Sequence, residues 1–321
     1  AAAGSGATYN TTGGADTTGV QLGTMGVGGS GAKLYSAGGN IRVYGRMHSS
    51  PGAAWAAGIA IVGGTEILSG TGKINLIGET TTAGGTDADG TMEFNAWGGT
   101  VNLTSLSTAS DAILIEGRQV GSGAAEYGIW GGNDGTSFTA PGGVIIRADH
   151  ISHGLDATST SGQIVLESQG TAFRTSAAST NFVPKFGGDD DLKFTGNPTG
   201  LRVGSASNSN TIDIVASSTL NLPTEFIGNG FYISNGVKLT NTAPGADLVF
   251  RSKTLIDMAD GNSTTFTDIQ TNNGDIVMWT NAYNGGSGYF LLGIYAELNT
   301  ANGVSSKTGS GGGRVTIGGG S

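Results

Sequence analysis

The sequence predicts an all-β fold of the β-solenoid class: an elongated, right-handed parallel β-helix with almost no α-helix. The prediction depends on a short repeated unit, on the high glycine content and on a sufficient supply of apolar residues. The 321 residues include 60 glycines but only 6 prolines, without the strict third-position glycine of collagen. Because 37% of the residues are hydrophobic and only 12% are charged, the chain can bury a core and has little self-repulsion to keep it unfolded.

The repeated unit consists of a glycine, one further residue, and then an apolar, a variable and an apolar residue. This alternation has a period of two, which is typical of a strand with one buried face. Glycine, threonine, serine and asparagine recur too often for a helix to persist. Clear copies begin at Gly39, Gly72, Gly90, Gly99, Gly162, Gly274 and Gly313, and looser copies cover 212–214, 237–239 and 248–250.

The spacing of these strands favours a solenoid over an antiparallel sandwich. Pairs such as Asn235-Gly236 leave local hairpins open. From Ile41 to Ile59 and from Ile59 to Ile74, however, similar strands return every ~15 to 20 residues, which fits one turn of three short strands and their corners. Each turn would then bury its inward apolar side chains against the turns above and below it.

We expect one solenoid domain over 1–321, interrupted by segments that lack the repeated unit. Such segments are expected to protrude as loops and to carry the specificity of the molecule. They lie near 81–90, 121–141, 171–200 and 282–288.

Charge and composition exclude several classes of function. The chain has 15 basic and 24 acidic residues, a formal charge of −9, and its lysines and arginines are scattered singly, so nucleic acid is not an expected partner. Cysteine is absent, which excludes disulfides and thiolate sites. The longest apolar runs, 53–62 and 289–296, are shorter than the ~20 residues that a membrane-spanning helix needs.

The segment 268–282, DIQTNNGDIVMWTNA, resembles the repeats of filamentous-haemagglutinin-like surface proteins of Gram-negative bacteria, and 309–320 has a similar texture. Members of that family are right-handed β-helices that are exported as adhesins or surface fibres. The resemblance therefore implies an extracellular location, or one on the outer cell surface of a bacterium, and a non-catalytic structural or adhesive role. The implied partners are an extracellular or cell-surface glycan, or further copies of the chain in a fibre or layer assembled head to tail.

Two alternatives remain open at this stage. The run Asp189-Asp190-Asp191 is similar to the acidic pair of β-helical polysaccharide hydrolases and lyases, in which two carboxylates divide the acid and base tasks. The solenoid pattern is also compatible with a phage tail fibre or spike. Because the other motifs of those hydrolases are missing, we expect no catalytic residues and no enzymatic activity.

Acidic loops and aromatic loops supply the candidate binding residues. Asp87 and Asp89, and separately Asp189, Asp190 and Asp191, could offer carboxylate oxygens to calcium, a hard cation that accepts irregular oxygen cages.

Aromatic side chains in glycine-rich segments are candidates for stacking on sugar rings. Trp130 and Tyr283 lie in such segments, so we predict that they contact a ligand. Trp97 and Trp279 directly follow apolar strand units, so we predict that they pack inside the protein.

Overall fold

The computed structural model describes residues 7–12, 18–24, 30–47, 57–80, 90–96, 99–119, 127–131, 135–151, 155–159, 161–170, 172–173, 193–196, 198–261, 264–283, 287–301 and 312–319. Within these ranges there is no helix, and all regular secondary structure is β-strand. The strands are parallel and lie in stacked sheets, an arrangement that is consistent with a β-solenoid. The prediction of an all-β, parallel architecture is confirmed at this level.

The chain divides into two compact units, which we describe separately. The interpretation of 1–321 as a single domain stays a prediction. In unit 1, sheet A has the strand order β1-β4-β7-β10-β13-β15, sheet B the order β11-β8-β5-β2 and sheet C the order β16-β14-β12-β9-β6-β3. The strands are β1 (Ala7–Thr12), β2 (Val20–Leu22), β3 (Lys33–Tyr35), β4 (Ile41–Met47), β5 (Ile59–Val62), β6 (Glu66–Leu68), β7 (Ile74–Thr80), β8 (Gly90–Ala96), β9 (Val101–Thr104), β10 (Ile113–Gln119), β11 (Tyr127–Trp130), β12 (Thr136–Ala140), β13 (Val144–Arg147), β14 (Leu155–Ser159), β15 (Gln163–Glu167) and β16 (Lys193–Gly196).

Unit 2 repeats the same plan. Sheet A′ has the order β17-β20-β23-β26-β29, sheet B′ the order β18-β21-β24-β27 and sheet C′ the order β19-β22-β25-β28. The strands are β17 (Gly200–Gly204), β18 (Thr211–Ile214), β19 (Ser218–Leu220), β20 (Thr224–Gly228), β21 (Gly230–Ile233), β22 (Lys238–Pro244), β23 (Leu248–Ser252), β24 (Leu255–Met258), β25 (Thr267–Asn272), β26 (Ile276–Thr280), β27 (Tyr289–Leu292), β28 (Ala296–Asn299) and β29 (Val315–Gly319).

Most turns contain three strands, one in each sheet, whereas the turn from β13 to β15 has strands in sheets A and C alone among the described residues. The turn length varies: register partners are 20 positions apart at Val144 and Ile164 and 33 apart at Ile41 and Ile74, and the contact between Asp275 and Arg314 spans 39. The predicted turn of ~15 to 20 residues is therefore too short for most turns. It compared Ile41 with Ile59, which lies in sheet B, so strands of different sheets were taken as successive copies of one position.

The core is a set of apolar columns that run from turn to turn. In unit 1 such a column contains Ile41, Ile74, Ile113, Val144 and Ile164, which are in register and at most 3% exposed. Alternate residues leave the core, as the period-two pattern predicts. Each inward side chain is thus covered by the equivalent side chains of the neighbouring turns.

Three phenylalanines pack together in the core of unit 2: Phe226 and Phe250 are in register in sheet A′, and Phe231 belongs to sheet B′. The rings of Phe226 and Phe250 stack with centroids 4.8 Å apart, and Phe231 meets Phe250 edge to face at 5.4 Å. All three side chains are fully buried.

Part of the chain predicted as loop is strand. The predicted loop 121–141 contains β11 and β12, whose Ile129 and Phe138 are fully buried, and the predicted loop 171–200 contains β16. Neither β11 nor β12 follows the repeated unit: Ile129 directly follows Gly128, and the position two residues after Gly135 is Ser137 rather than an apolar residue. The segments 81–89, 121–126, 132–134, 171, 174–192, 197 and 284–286 of the four predicted loops lie outside the described residues.

In the part of the chain that the structure describes, no helix has the length and apolarity needed to cross a membrane.

Candidate functional site

The outward surface of sheet A′ carries aromatic and charged side chains in two neighbouring rows. Strand β26 directs Ile276 and Met278 into the core, where both are fully buried, so the intervening residue and Trp279 face outward. In one row Arg202 is in register with Glu225. In the other, Arg251 is in register with Trp279. Regular parallel pairing therefore brings together side chains that are far apart in the sequence.

The indole of Trp279 packs against the neighbouring strand β29 at Gly318. Its side chain is 37% exposed, and its register partner on β29 is Gly318. A Cβ atom built at Gly318 would lie 3.2 Å from Cε3 and Cζ3 of the indole, so the six-membered ring covers the Gly318 backbone. Glycine at this position leaves room for the ring, and the other side of the indole remains open to solvent.

Arg251 and Glu225 form an ion pair beside Trp279. The Nε–H of Arg251 donates a hydrogen bond to Oε1 of Glu225 across 2.6 Å. Both side chains remain accessible, at 48% and 30% exposure. The pair therefore holds the guanidinium in place while leaving part of its donor edge for a ligand.

Tyr283 follows β26 and is also 37% exposed. Burial of part of the ring raises the pKa of its hydroxyl, with Arg251, Glu225 and Arg202 as electrostatic neighbours. The hydroxyl is therefore protonated at neutral pH and can donate a hydrogen bond.

We call the set Arg202, Glu225, Arg251, Trp279 and Tyr283 the Trp279–Tyr283 face. It combines an aromatic surface, a phenol donor and two guanidinium groups on a rigid sheet. Chemically this surface can stack on an apolar ring face and can bind anionic oxygens by paired N–H donors.

A second polar row crosses sheet C′. Lys238, Asp268 and Glu297 are in register on β22, β25 and β28. Burial raises the pKa of Asp268, the neighbouring carboxylate of Glu297 raises it further, and Lys238 acts in the opposite direction. The row thus contains two carboxyl groups on adjacent strands, one of which is biased toward its protonated form.

Of the predicted aromatic ligand contacts, the structure places Tyr283 in this cluster but not Trp130. Trp130 ends β11 of unit 1, where it is partly exposed and in register with Glu93. Tyr283 belongs to unit 2. That either residue contacts a ligand stays a prediction.

The predicted calcium ligands Asp87, Asp89, Asp189, Asp190 and Asp191 lie outside the described residues. Within the described ranges, no group of three or more histidine, aspartate or glutamate side chains is arranged to hold a metal ion. Calcium binding by the acidic loops stays a prediction.

The sequence analysis did not identify Trp279 as a surface residue: its assignment to packing is wrong, since the residue is 37% exposed. Trp97, which was assigned in the same way, lies outside the described residues. The alternation Ile276, Met278 and Thr280 on the inward face puts residue 279 on the outside. This signal was present in the sequence, since a residue between two inward positions of a strand must face the opposite side.

Arg202, Glu225 and Arg251 carried no comparable signal. They stand in three different strands, and nothing in the linear pattern indicates which strands are neighbours.

No protein-family model, no curated protein and no solved structure matches this chain.

Proposed function

We propose that this chain is a non-catalytic structural or adhesive protein of the bacterial surface or its extracellular surroundings, folded as a right-handed parallel β-helix. The observation that carries the proposal is the Trp279–Tyr283 face, where large aromatic side chains lie outward on a sheet of regular parallel strands. Exposed aromatic and arginine side chains on a rigid support are typical of binding surfaces.

The architecture supports an adhesive role because the core and the outward face are separate. The apolar columns depend on inward residues such as Ile276 and Met278, whereas Trp279, which follows Met278 on the strand, faces outward and can serve binding. Outward positions can therefore change without loss of the stacked core. A repeated scaffold of this kind presents many side chains at fixed spacing.

Adhesion can be tested with the purified chain coupled to fluorescent beads. We expect the beads to bind at least one member of a panel of immobilised bacterial, plant and animal polysaccharides, above the level of albumin-coated beads. Immunolabelling of intact producing cells should show the chain outside the cell. Absence of both binding and surface labelling would contradict the proposal.

Self-assembly into a filament or surface layer is the structural part of the proposal. Strands β27, β28 and β29 stand last in their sheets, and apolar side chains on this turn are exposed, among them Leu292 at 46% and Ile317 at 50%. Their register partners Met258 and Met278 are fully buried, so the inward positions of the last turn lack the cover that a further turn provides. A second copy could pair its own edge strands with the backbone of this edge and pack its apolar side chains on the exposed ones.

Electron microscopy and light scattering across a concentration series test the assembly. We expect fibres or layers for the wild type and mainly dispersed protein for Ile317→Lys. Leu106→Lys serves as the control, because Leu106 is 60% exposed and follows β9, a strand in the interior of sheet C. Dispersed monomers at all concentrations of the wild type would remove self-assembly from the proposal.

One observation favours a second candidate function, a polysaccharide hydrolase. Asp268 and Glu297 are in register on adjacent strands, ~4.8 Å apart along the sheet, and carboxyl groups of retaining glycosidases are separated by ~5 to 5.5 Å. Release of reducing sugar from a polysaccharide, abolished by Asp268→Asn, would favour this function over adhesion.

A further inference from the structure

We propose that the Trp279–Tyr283 face binds a polysaccharide that carries carboxylate groups, such as a chain of uronic acids. This inference rests on the proposed adhesive function and names the class of its ligand. Three features support it: the aromatic surface, the local charge, and the strands of the face, which are each already paired on both sides.

The aromatic part of the face fits a sugar ring. The indole of Trp279 packs over Gly318 and is 37% exposed, which leaves part of its surface open to a ligand. A pyranose ring presents a face of C–H groups that packs on such a flat surface while its hydroxyls stay at the rim. Tyr283 follows the same strand and places a protonated hydroxyl within the cluster, which can donate to a ring or hydroxyl oxygen.

The charged part of the face selects carboxylates. Tyr283 has two guanidinium groups, those of Arg202 and Arg251, and one carboxylate, that of Glu225, as its electrostatic neighbours. This local positive excess stands in a chain of formal charge −9. Guanidinium groups bind carboxylates through parallel N–H donors, so an anionic ligand is favoured at this face.

The extent of the face matches a polymer. Arg202 lies on β17 and Trp279 on β26, three strand spacings apart. At ~4.8 Å for each spacing the charged and aromatic ends are separated by ~14 Å, which leaves room for more than one sugar ring. Repeated carboxylates along a polysaccharide could then meet an arginine while a neighbouring ring stacks on the indole.

The backbone of this face argues against an acidic peptide as the ligand. Strands β20, β23 and β26 are each paired on both sides within sheet A′. Peptides that bind sheets commonly add a strand at a free edge, and these interior strands offer none. Recognition here must use side chains standing on the sheet, which suits stacking on sugar rings.

Isothermal titration of the full chain with polygalacturonate oligosaccharides tests the inference. We expect saturable binding of the unesterified oligosaccharides, whose carboxylates are charged and which we call the acid form. The methyl ester, which lacks the charge, should bind at least about tenfold more weakly. Trp279→Ala should weaken binding of the acid form by about tenfold or more through loss of stacking. Arg251→Gln should weaken binding of the acid form but leave the ester unchanged.

Tyr232→Ala is the matched control, since Tyr232 is 36% exposed on the outward side of sheet B′ and should not affect binding. Trp279→Phe covers the case in which the alanine variant does not fold, and it should retain intermediate affinity. Thermal melts confirm folding of each variant.

The inference is overturned if the acid form does not bind, if Trp279→Ala and Trp279→Phe both bind as the wild type does, or if the ester binds equally well. Equal binding of poly-glutamate would also overturn it, in favour of an acidic peptide. If wild-type and Trp279→Ala beads adhere equally to the polysaccharide panel, the site is wrong while the adhesive function stands. If neither kind of bead adheres, the adhesive function itself fails.

Discussion

Three glycines on successive strands of sheet A show how a single residue type sets the distance between sheets. Gly45, Gly78 and Gly117 are in register on β4, β7 and β10. A Cβ atom at any of them would lie closer than 3.0 Å to a backbone carbonyl oxygen, that of Gly58, Thr91 or Gly128 respectively. These oxygens belong to the segments that enter or form sheet B. Glycine is required here for the close approach of two backbones.

We expect Gly78→Ala to lower the free energy of unfolding by at least about 2 kcal/mol, because the added methyl group must move backbone rather than a flexible side chain. Chemical denaturation measures the effect. Gly170→Ala is the control, since its Cβ would meet Asp149 at an ordinary 3.4 Å, and it should change stability by less than about 0.5 kcal/mol. Equal effects of the two variants would show that close approach is not the cause.

Asp268 illustrates a residue whose environment opposes its charge. Its pKa is raised by burial and by Glu297, so the folded state binds the proton more tightly than the unfolded state. Stability from this group therefore falls as pH rises from the unfolded pKa, near 3.8, through the folded pKa. At neutral pH the charged carboxylate destabilises the folded chain.

Asp268→Asn should therefore stabilise the chain at pH 7, by less than about 1 kcal/mol after solvent screening, and the gain should vanish below pH ~4.

Glu66→Gln should have the opposite effect and destabilise the chain at pH 7. Hydrogen bonds from Lys33 and Tyr35 lower the pKa of Glu66, so its stabilising contribution is present above the unfolded pKa and is lost as pH falls. Thermal melts of both variants between pH 3 and 7 test the signs, and parallel pH profiles would contradict them.

At the scale of elements, charged side chains join neighbouring strands on the outer side of sheet A. Arg147 on β13 donates to Glu167 on β15 at 2.8 Å and, more weakly, to Glu116 on β10 at 3.4 Å. Glu116 also accepts from Arg118 at 2.6 Å, and its side chain is only 5% exposed. The carboxylates of two turns, Glu116 and Glu167, are thus joined by the guanidinium of Arg147 on the turn between them.

Arg147→Gln should cost about 1 to 3 kcal/mol of unfolding free energy, since it removes charge-assisted hydrogen bonds from poorly exposed carboxylates. Lys33→Gln, which breaks the exposed pair with Glu66, should lower the free energy of unfolding by clearly less than Arg147→Gln does, because solvent screens an exposed pair. Denaturant unfolding of both variants at low and at high salt distinguishes the poorly exposed ion pairs of Arg147 from the exposed pair of Lys33. A cost for Lys33→Gln as large as that for Arg147→Gln would refute the role of burial.

The strands were the part of the fold best predicted from sequence. The units that begin at Gly39, Gly72 and Gly274 lead into β4, β7 and β26, with the apolar positions inward as expected. Strands that depart from the repeated unit, such as β11 and β12, were missed. The pairing of strands was also missed, because the inward pattern of β5 is like that of β4 although they belong to different sheets.

At the scale of the whole molecule, each unit is built from turns that pair only with the turns before and after them among the described strands. Corner contacts follow the same rule: the Asp247 carboxylate accepts a hydrogen bond from the backbone N–H of Asp275, and Asp275 accepts one from Arg314. Stability in such a stack is a sum over turns and their interfaces.

Phe250→Ala tests this locality. Removing the ring from the buried cluster with Phe226 and Phe231 should cost about 3 to 5 kcal/mol. Hydrogen exchange should accelerate most on the strands paired with β23, namely β20 and β26, and little on β7 of unit 1. Tyr232→Ala on the outward side should leave exchange nearly unchanged. A uniform acceleration over both units would instead indicate that the whole chain unfolds as one cooperative body.

The sequence by itself determined that the chain forms short strands, which residues of many strands face the core, and that no helix is favoured. These properties follow from local alternation and composition, which act within a few residues. Only the tertiary structure decided which strands are neighbours, and hence that Arg202, Glu225, Arg251 and Trp279 share one face. The physical reason is that all strands bury similar apolar side chains, so the alternation cannot distinguish one sheet from another.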